Sequence, residues 1–215
     1  MPRAGLTTAR VIDEAAQMAD EVGLSHLTLA ALADRLGVRY PSLYKHVDGM
    51  DGLQRGIAVR AKNELAATLG RATVGRARGD AIVSLSQAYR NWALQHPGRY
   101  AAAQRVPTPG DTEAEAADWA SVEIIGDVLA GYDLQGDDAI DATRALRAAL
   151  HGWVTLETTF VHPANIDRSF GRLVQGLATA LASWADQPLP EHRARHDHPD
   201  VGGAAPAPEV RQDTA

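Results

Sequence analysis

Apolar residues recur at helical spacing along most of this chain, and the breaks between periodic stretches fall at Gly and Pro. Residues 7–22 place Val11, Ala15, Met18, Ala19 and Val22 on one face, and Gly23 ends the stretch. Residues 28–47 predict two shorter helices joined by a tight turn. Leu29, Leu32, Ala33 and Leu36 mark the buried face of the first. Thr28 is placed to cap it, and Leu27 with Leu32 to staple its entry. Gly37 supplies the left-handed backbone that turns the chain. Pro41 falls in the first turn of the second helix, where a missing N–H costs little. Leu43 and Val47, four apart, anchor that helix to a core.

Further helices are predicted over 53–69, after a turn at Asp48-Gly49, and over 80–96, with Ile82, Leu85, Tyr89 and Trp92 in a stripe stopped by Pro97-Gly98. Between them, 70–79 is rich in Gly and Arg and reads as a loop. A short helix over 98–105 precedes the break Pro107 to Gly110, and longer helices cover 111–131, 137–160 and 166–186. No fixed-period repeat is present. The fold class is all-α: a small amino-terminal helix-turn-helix domain and a larger helical domain.

The second helix of the turn motif carries Arg39, Tyr40, Ser42, Tyr44, Lys45 and His46 within eight residues. Hydroxyls, His and Lys donate to phosphate oxygens, and Arg can pair two acceptors on a guanine edge. Two helices and a glycine are common by themselves, but this dense polar face is the chemistry of a major-groove reader.

L-A-D-R-L-G-V followed by P-S-L-Y-K-H-V resembles the amino-terminal domain of TetR-family transcriptional regulators, over residues 5–65. Downstream, L-R-A-A-L-H-G-W-V-T-L-E at 146–157 is similar to the WHG type of TetR regulatory domain. The resemblance implies a homodimer that binds double-stranded DNA and a domain, 79–187, that senses a small-molecule effector and dimerises. It assigns Tyr44 and His46 to phosphate contacts, and Arg39, Tyr40, Pro41 and Ser42 to positions facing base edges and the sugar-phosphate backbone. Lys45 falls where either contact is made, and Thr28 at a helix amino terminus where backbone N–H groups hold a phosphate. Ala30 and Met50 stand where other members carry a base-reading arginine and a lysine, which implies fewer contacts to DNA.

Charge changes this picture only locally. The chain has 21 Lys and Arg against 27 Asp and Glu, a net charge of -6. Acids also outnumber bases in residues 1–52, but 35–46 carries Arg35, Arg39 and Lys45 with no carboxylate. Phosphate binding answers to that local charge, and weak non-specific binding is expected. Zero cysteines exclude disulfides and thiolate chemistry. No run approaches the ~18 apolar residues of a membrane span, and the first residues lack a signal-peptide stretch, so a cytoplasmic protein is expected.

No G-x-S-x-G, G-x-x-x-x-G-K, G-x-G-x-x-G or H-E-x-x-H occurs, and neither an enzyme nor a cofactor is expected. The tail 188–215, rich in Pro and Gly, is predicted to be disordered. Its His192, His196, Asp197 and His198 lack a rigid frame, and no metal site is expected there. Tyr89, Trp92, Trp119, Trp153 and Phe160 either fill a core or line an apolar effector pocket, with Gln104, His151 and Thr155 as its polar groups. Leu146, Leu150 and Trp153 on one helix, and Phe170, Leu173, Val174, Leu177 and Leu181 on the next, form stripes read as a dimer interface, part of which must be intrachain core. The expected function is a repressor released by its ligand and acting on a palindromic operator. The other reading is a helical ligand-binding or protein-interaction module without specific DNA binding.

Overall fold

A computed structural model describes residues 6–159 and 164–184. Phe160 and the tail with its histidines lie outside the described residues. All elements described are helical: α1 (Thr8–Val22), α2 (Leu29–Leu36), a short 3-10 helix (Tyr40–Lys45), α3 (Gly49–Thr73), α4 (Arg78–Gln95), α5 (Pro97–Ala103), α6 (Thr112–Ala130), α7 (Gly136–Thr159) and α8 (Ile166–Trp184).

Local chemistry sets the amino-terminal elements. Thr7 Oγ1 accepts from the Arg10 N–H at 3.2 Å to cap α1, and Gly23 ends it at φ 88°. Thr28 Oγ1 accepts from the Ala31 N–H at 3.2 Å to cap α2, and Gly37 closes α2 at φ 66°, ψ 34°. Leu27 and Leu32 are both buried, as a staple requires. The second helix of the turn is a 3-10 rather than an α-helix, with Pro41 in its first turn. Leu43, fully buried, and Val47 fix its rotation against Val11, Ala15, Leu32 and Leu53.

The helix after the turn is longer than its apolar period indicates. α3 starts at Gly49, whose φ of 64° suits the turn, and runs through Gly70 to Thr73, so the expected 70–79 loop shrinks to the residues before α4. Its Leu53 and Ile57 belong to the small amino-terminal core. Ala61, Leu65 and Leu69 belong to a second, larger core with Ile82, Leu85, Ile125, Leu129, Leu146 and Leu150. One rigid helix thus serves both.

α5 ties the larger unit back to α1. Gly98 is buried there, and a Cβ built on it would lie 2.0 Å from the Ala19 carbonyl oxygen. The Arg99 N–H donates to Asp20 Oδ1 at 2.8 Å beside that contact. Only glycine permits this approach.

Gly98→Ala is expected to lower unfolding stability by about 1–3 kcal/mol, because backbone meets backbone with no flexible side chain to yield. Gly79→Ala in α4, where a Cβ meets nothing within 4 Å, should be neutral or stabilising by up to ~1 kcal/mol. Denaturant melts of the two variants check the pair; equal stability would refute the close-approach argument.

Candidate nucleic-acid interface

The short helix Tyr40–Lys45 is gripped from below by Leu43 and Val47, which leaves its polar residues outward. Arg39, Tyr40, Pro41, Tyr44 and Lys45 are exposed, while Ser42 and His46 are half-buried. Tyr40 and Tyr44 are 43% and 55% exposed, although large aromatic side chains favour burial. Their hydroxyl oxygens lie 3.0 Å apart, and their rings meet edge to face. The hydrogen bond to Tyr40 raises the Tyr44 ionisation above that of a free phenol. Thr28 is exposed at the amino terminus of α2, its side chain committed to the cap.

Arg35 does not join this surface as a free cation. Its Nε donates to Glu14 at 2.5 Å, and its two terminal nitrogens donate to the Glu21 carboxylate. The Arg35 hydrogen bonds hold Glu21 below its ordinary carboxylate range. Of the three cations counted on 35–46, Arg35 is thus paired, while Arg39 and Lys45 are exposed. The acids of α1 are thereby spent on a structural pair, with their charge muted next to the motif.

Ion pairs also join α1, α3 and α5. Arg99 binds Asp20 at 2.8 Å and Glu64 at 2.9 Å, His96 Nδ1 lies 3.3 Å from Asp20, and Arg60 pairs with both Asp13 and Glu64. Further along α3, Arg55 is bidentate to Asp111, and Lys62 Nζ, nearly buried, donates to Asp118 and to the Arg105 carbonyl. α5 is thereby joined to α1 and α3, and α6 to α3, by charged contacts.

In the larger core, Tyr89, Tyr100 and His151 form a hydrogen-bonded chain, with hydroxyls 3.1 Å apart and Tyr100 Oη 2.7 Å from His151 Nδ1. Burial pushes both phenols above their ordinary range, Tyr100 the further of the two. Trp92 is buried beside His96 on the same α4 as Tyr89, so these two rings share a helix. Gln104 and Thr155 are exposed and spend their side chains on the backbone of Tyr100 and His151. Trp119 does not join this group: it is 62% exposed on α6 and belongs to neither large core.

The apolar stripes of α7 and α8 also need correction. Leu146 and Leu150 are fully buried inside the single chain, and Phe170, Val174 and Leu181 are no more than 3% exposed. Trp153, Leu173 and Leu177 are half-buried, Trp153 stacking at 5.5 Å on Phe170. Leu146, Leu150, Phe170, Val174 and Leu181 thus belong to the core of the single chain, with Trp153 and Leu177 packed at its edge, while Leu173 lies outside that core.

Among sequences of known proteins, residues 82–177 match the family model for the tetracyclin repressor-like C-terminal domain. An uncharacterized HTH-type transcriptional regulator of Mycobacterium tuberculosis is 38% identical over 180 residues, covering 83% of each chain. The chain belongs to the TetR family. It is a helix-turn-helix, DNA-binding transcriptional regulator. Solved structures share its fold: a variant TetR from Acinetobacter baumannii in complex with minocycline has 22% identity and a TM-score of 0.63, covering 82% of this chain and 96% of that one. BioQ with its double-stranded DNA operator has 21% identity and a TM-score of 0.60, covering 81% and 99%. Among the described residues, no helix of this TetR regulator is long and apolar enough to cross a membrane.

Sequence reasoning missed the polar knot that fixes the regulator's last helices. Arg90, 7% exposed in its side chain, donates to both Glu157 oxygens at 2.6 and 2.7 Å and reaches Asp167 at 2.8 Å. The Trp153 indole N–H donates to Glu157 at 2.9 Å, and the guanidinium lies 5.0 Å from the Phe170 ring centre. A signal was available: Arg90 follows Ile82 and Ser86 at steps of four, on the same buried side as Tyr89. Tyr100 was likewise passed over, in a short helix with no clear period.

Glu157→Leu is expected to destabilise by about 3–5 kcal/mol, since it leaves the buried Arg90 with only an exposed partner. Arg90→Leu combined with Glu157→Leu should recover most of that loss. A thermal-unfolding double-mutant cycle checks this; additive losses would contradict a direct pair.

Proposed function

We propose that this regulator is a ligand-released repressor that acts in the cytoplasm as a homodimer on a palindromic operator, with the short helix Tyr40–Lys45 in the major groove. The observation that carries the reading is the outward polar face of that helix, locked in rotation by the fully buried Leu43. Tyr44, Lys45 and His46 contact phosphates, Arg39, Pro41 and Ser42 lie against base edges and backbone, and the amino terminus of α2 at Thr28 adds a backbone N–H contact. The DNA-reading unit spans 5–65 and the sensing unit 79–187, with α3 common to both cores. BioQ, a fold relative, is seen with its DNA operator, and a TetR with minocycline; both complexes support the kinds of partner proposed.

The effector site is placed at the Tyr89–Tyr100–His151 chain, which joins a buried core to the exposed face of α7. Such a site suits a mostly apolar ligand with a polar group for the chain. The ligand releases DNA only if it binds better to the arrangement that spaces two heads wrongly.

The dimer surface is moved from the buried stripes to the outer faces of α7 and α8. On α8 this face carries Gly176, Thr179, Ala180 and Ser183 with Arg172 and Gln175, and it bounds an open groove. On α7 it carries the exposed Ile140 and Leu156. Small residues let a second copy's helices approach, and two linked heads match a palindrome through effective concentration.

Selection of bound sequences from random duplex DNA, followed by salt titrations, tests the DNA reading. Lys45→Ala should flatten the slope of log affinity against log salt by about one unit, and Arg35→Ala should leave the slope unchanged because its charge is already paired. Equal slopes for wild type and Lys45→Ala would remove Lys45 from the interface.

Thr179→Arg, on the outer face of α8, should give a folded monomer that binds the operator at least ~100-fold more weakly, as expected when one of two linked sites is lost. Light scattering, circular dichroism and a gel shift on one sample check it. A folded monomer with wild-type affinity would overturn the dimer mechanism.

A further inference from the structure

Tyr40 and Tyr44 face outward, yet they are also bonded to each other. Their oxygens are 3.0 Å apart, and their ring centres are 5.6 Å apart with planes at 72°. Each phenol has one proton to give and lone pairs to accept. If Tyr44 donates to Tyr40, it has no proton left for a phosphate. If Tyr40 donates to Tyr44, the Tyr44 proton is free and better polarised, because a hydroxyl that accepts a hydrogen bond donates more strongly. In the DNA-free protein the pair raises the Tyr44 ionisation, the sign of a Tyr44 hydroxyl that donates to Tyr40, so the order in which Tyr40 donates belongs to the DNA complex, where a phosphate takes the Tyr44 proton as acceptor.

The placement suits this order. Tyr40 is the first residue of the short helix, next to Pro41, whose ring fixes φ, and the fully buried Leu43 prevents the helix from rolling. The backbone under Tyr40 is therefore fixed, and from it the Tyr40 hydroxyl reaches the Tyr44 oxygen at 3.0 Å. We propose that Tyr40 is a positioning residue for the backbone contact of Tyr44: Tyr40 donates to the Tyr44 oxygen, and Tyr44 donates to a phosphodiester oxygen of DNA. The proposal rests on the reading of this helix as the DNA-facing segment, and it removes Tyr40 from the base-edge contacts that the family resemblance implies.

The test uses the full chain, the selected operator, its single-base-pair variants and an unrelated duplex. Tyr40→Phe and Tyr44→Phe keep both rings and remove only the hydroxyls. Tyr40→Phe should weaken binding about two- to fivefold, and by the same factor on the operator and on its variants. Tyr44→Phe should weaken it at least as much, about five- to tenfold. In the Tyr44→Phe background, adding Tyr40→Phe should cost nothing further, since Tyr40 acts only through Tyr44. Absorbance titration of the DNA-free protein checks that the two hydroxyls are paired before DNA arrives: Tyr44 should ionise at lower pH in Tyr40→Phe than in wild type, because it loses the acceptor that holds its proton.

A changed order of preference among the operator variants in Tyr40→Phe would overturn the proposal, because it would make Tyr40 a base reader. Additive losses in the double variant, or unchanged binding in Tyr40→Phe, would overturn it too. Those outcomes leave the DNA-facing assignment standing, provided wild type selects an operator and Lys45→Ala weakens it. Wild type that selects no duplex would overturn the functional reading itself and the tyrosine order with it.

Discussion

The two cores of this regulator are pinned to one another by the burial of a single helix. α3 gives Leu53 and Ile57 to the small core under the helix-turn-helix, and Ala61, Leu65 and Leu69 to the large core. Each large apolar side chain so buried stabilises by ~1.5–3 kcal/mol, far more than an exposed ion pair at ~0–1 kcal/mol. A rearrangement in the large core must either carry α3 with it or expose one of these side chains. The first is the cheaper response, since it leaves both cores closed. The contact of Gly98 against Ala19 and the Arg99 pair with Asp20 add a second tie, through α1.

Charge is arranged around this spine so that an acidic chain can still present a DNA-binding face. Glu14 and Glu21 are taken up by Arg35, Asp111 by Arg55, and Asp13, Asp20 and Glu64 by Arg60 and Arg99. Carboxylates paired in this way exert little field beyond the Debye length of about 8 Å at physiological salt. On the proposed reading, Arg39 and Lys45 then act on phosphate with little competition. Two cations per head would make a modest electrostatic contribution, so in the proposed dimer specificity rests more on hydroxyls, on geometry and on two heads acting together.

The deep ion pair of Arg90 with Glu157 has another use. Buried pairs contribute little net stability, but breaking one is costly. This one fixes where α7 and α8 lie on α4, through Trp153, Phe170 and Asp167. The outer faces of those two helices, with Gly176, Thr179 and Ala180 on α8, are held in register by that knot.

What the sequence determined by itself was whatever depends on neighbours three or four residues away. The cap at Thr28, the left-handed Gly37, the Leu27–Leu32 staple, Pro41 in a first turn and the helical class all follow from local rules, and the P-S-L-Y-K-H-V motif pointed to the TetR family. Tertiary structure alone decided which face of an amphipathic helix turns inward. An apolar stripe shows that a face is buried, not against what, so Leu146, Leu150 and Leu181 served as well for a dimer as for the core they fill. Tertiary structure also decided the charge pairs: Arg35 meets Glu21 across 14 residues and Arg90 meets Glu157 across 67. Such partners are joined by the path of the chain through space. No periodicity encodes them, because electrostatic attraction acts on distance in the fold and is indifferent to distance along the sequence.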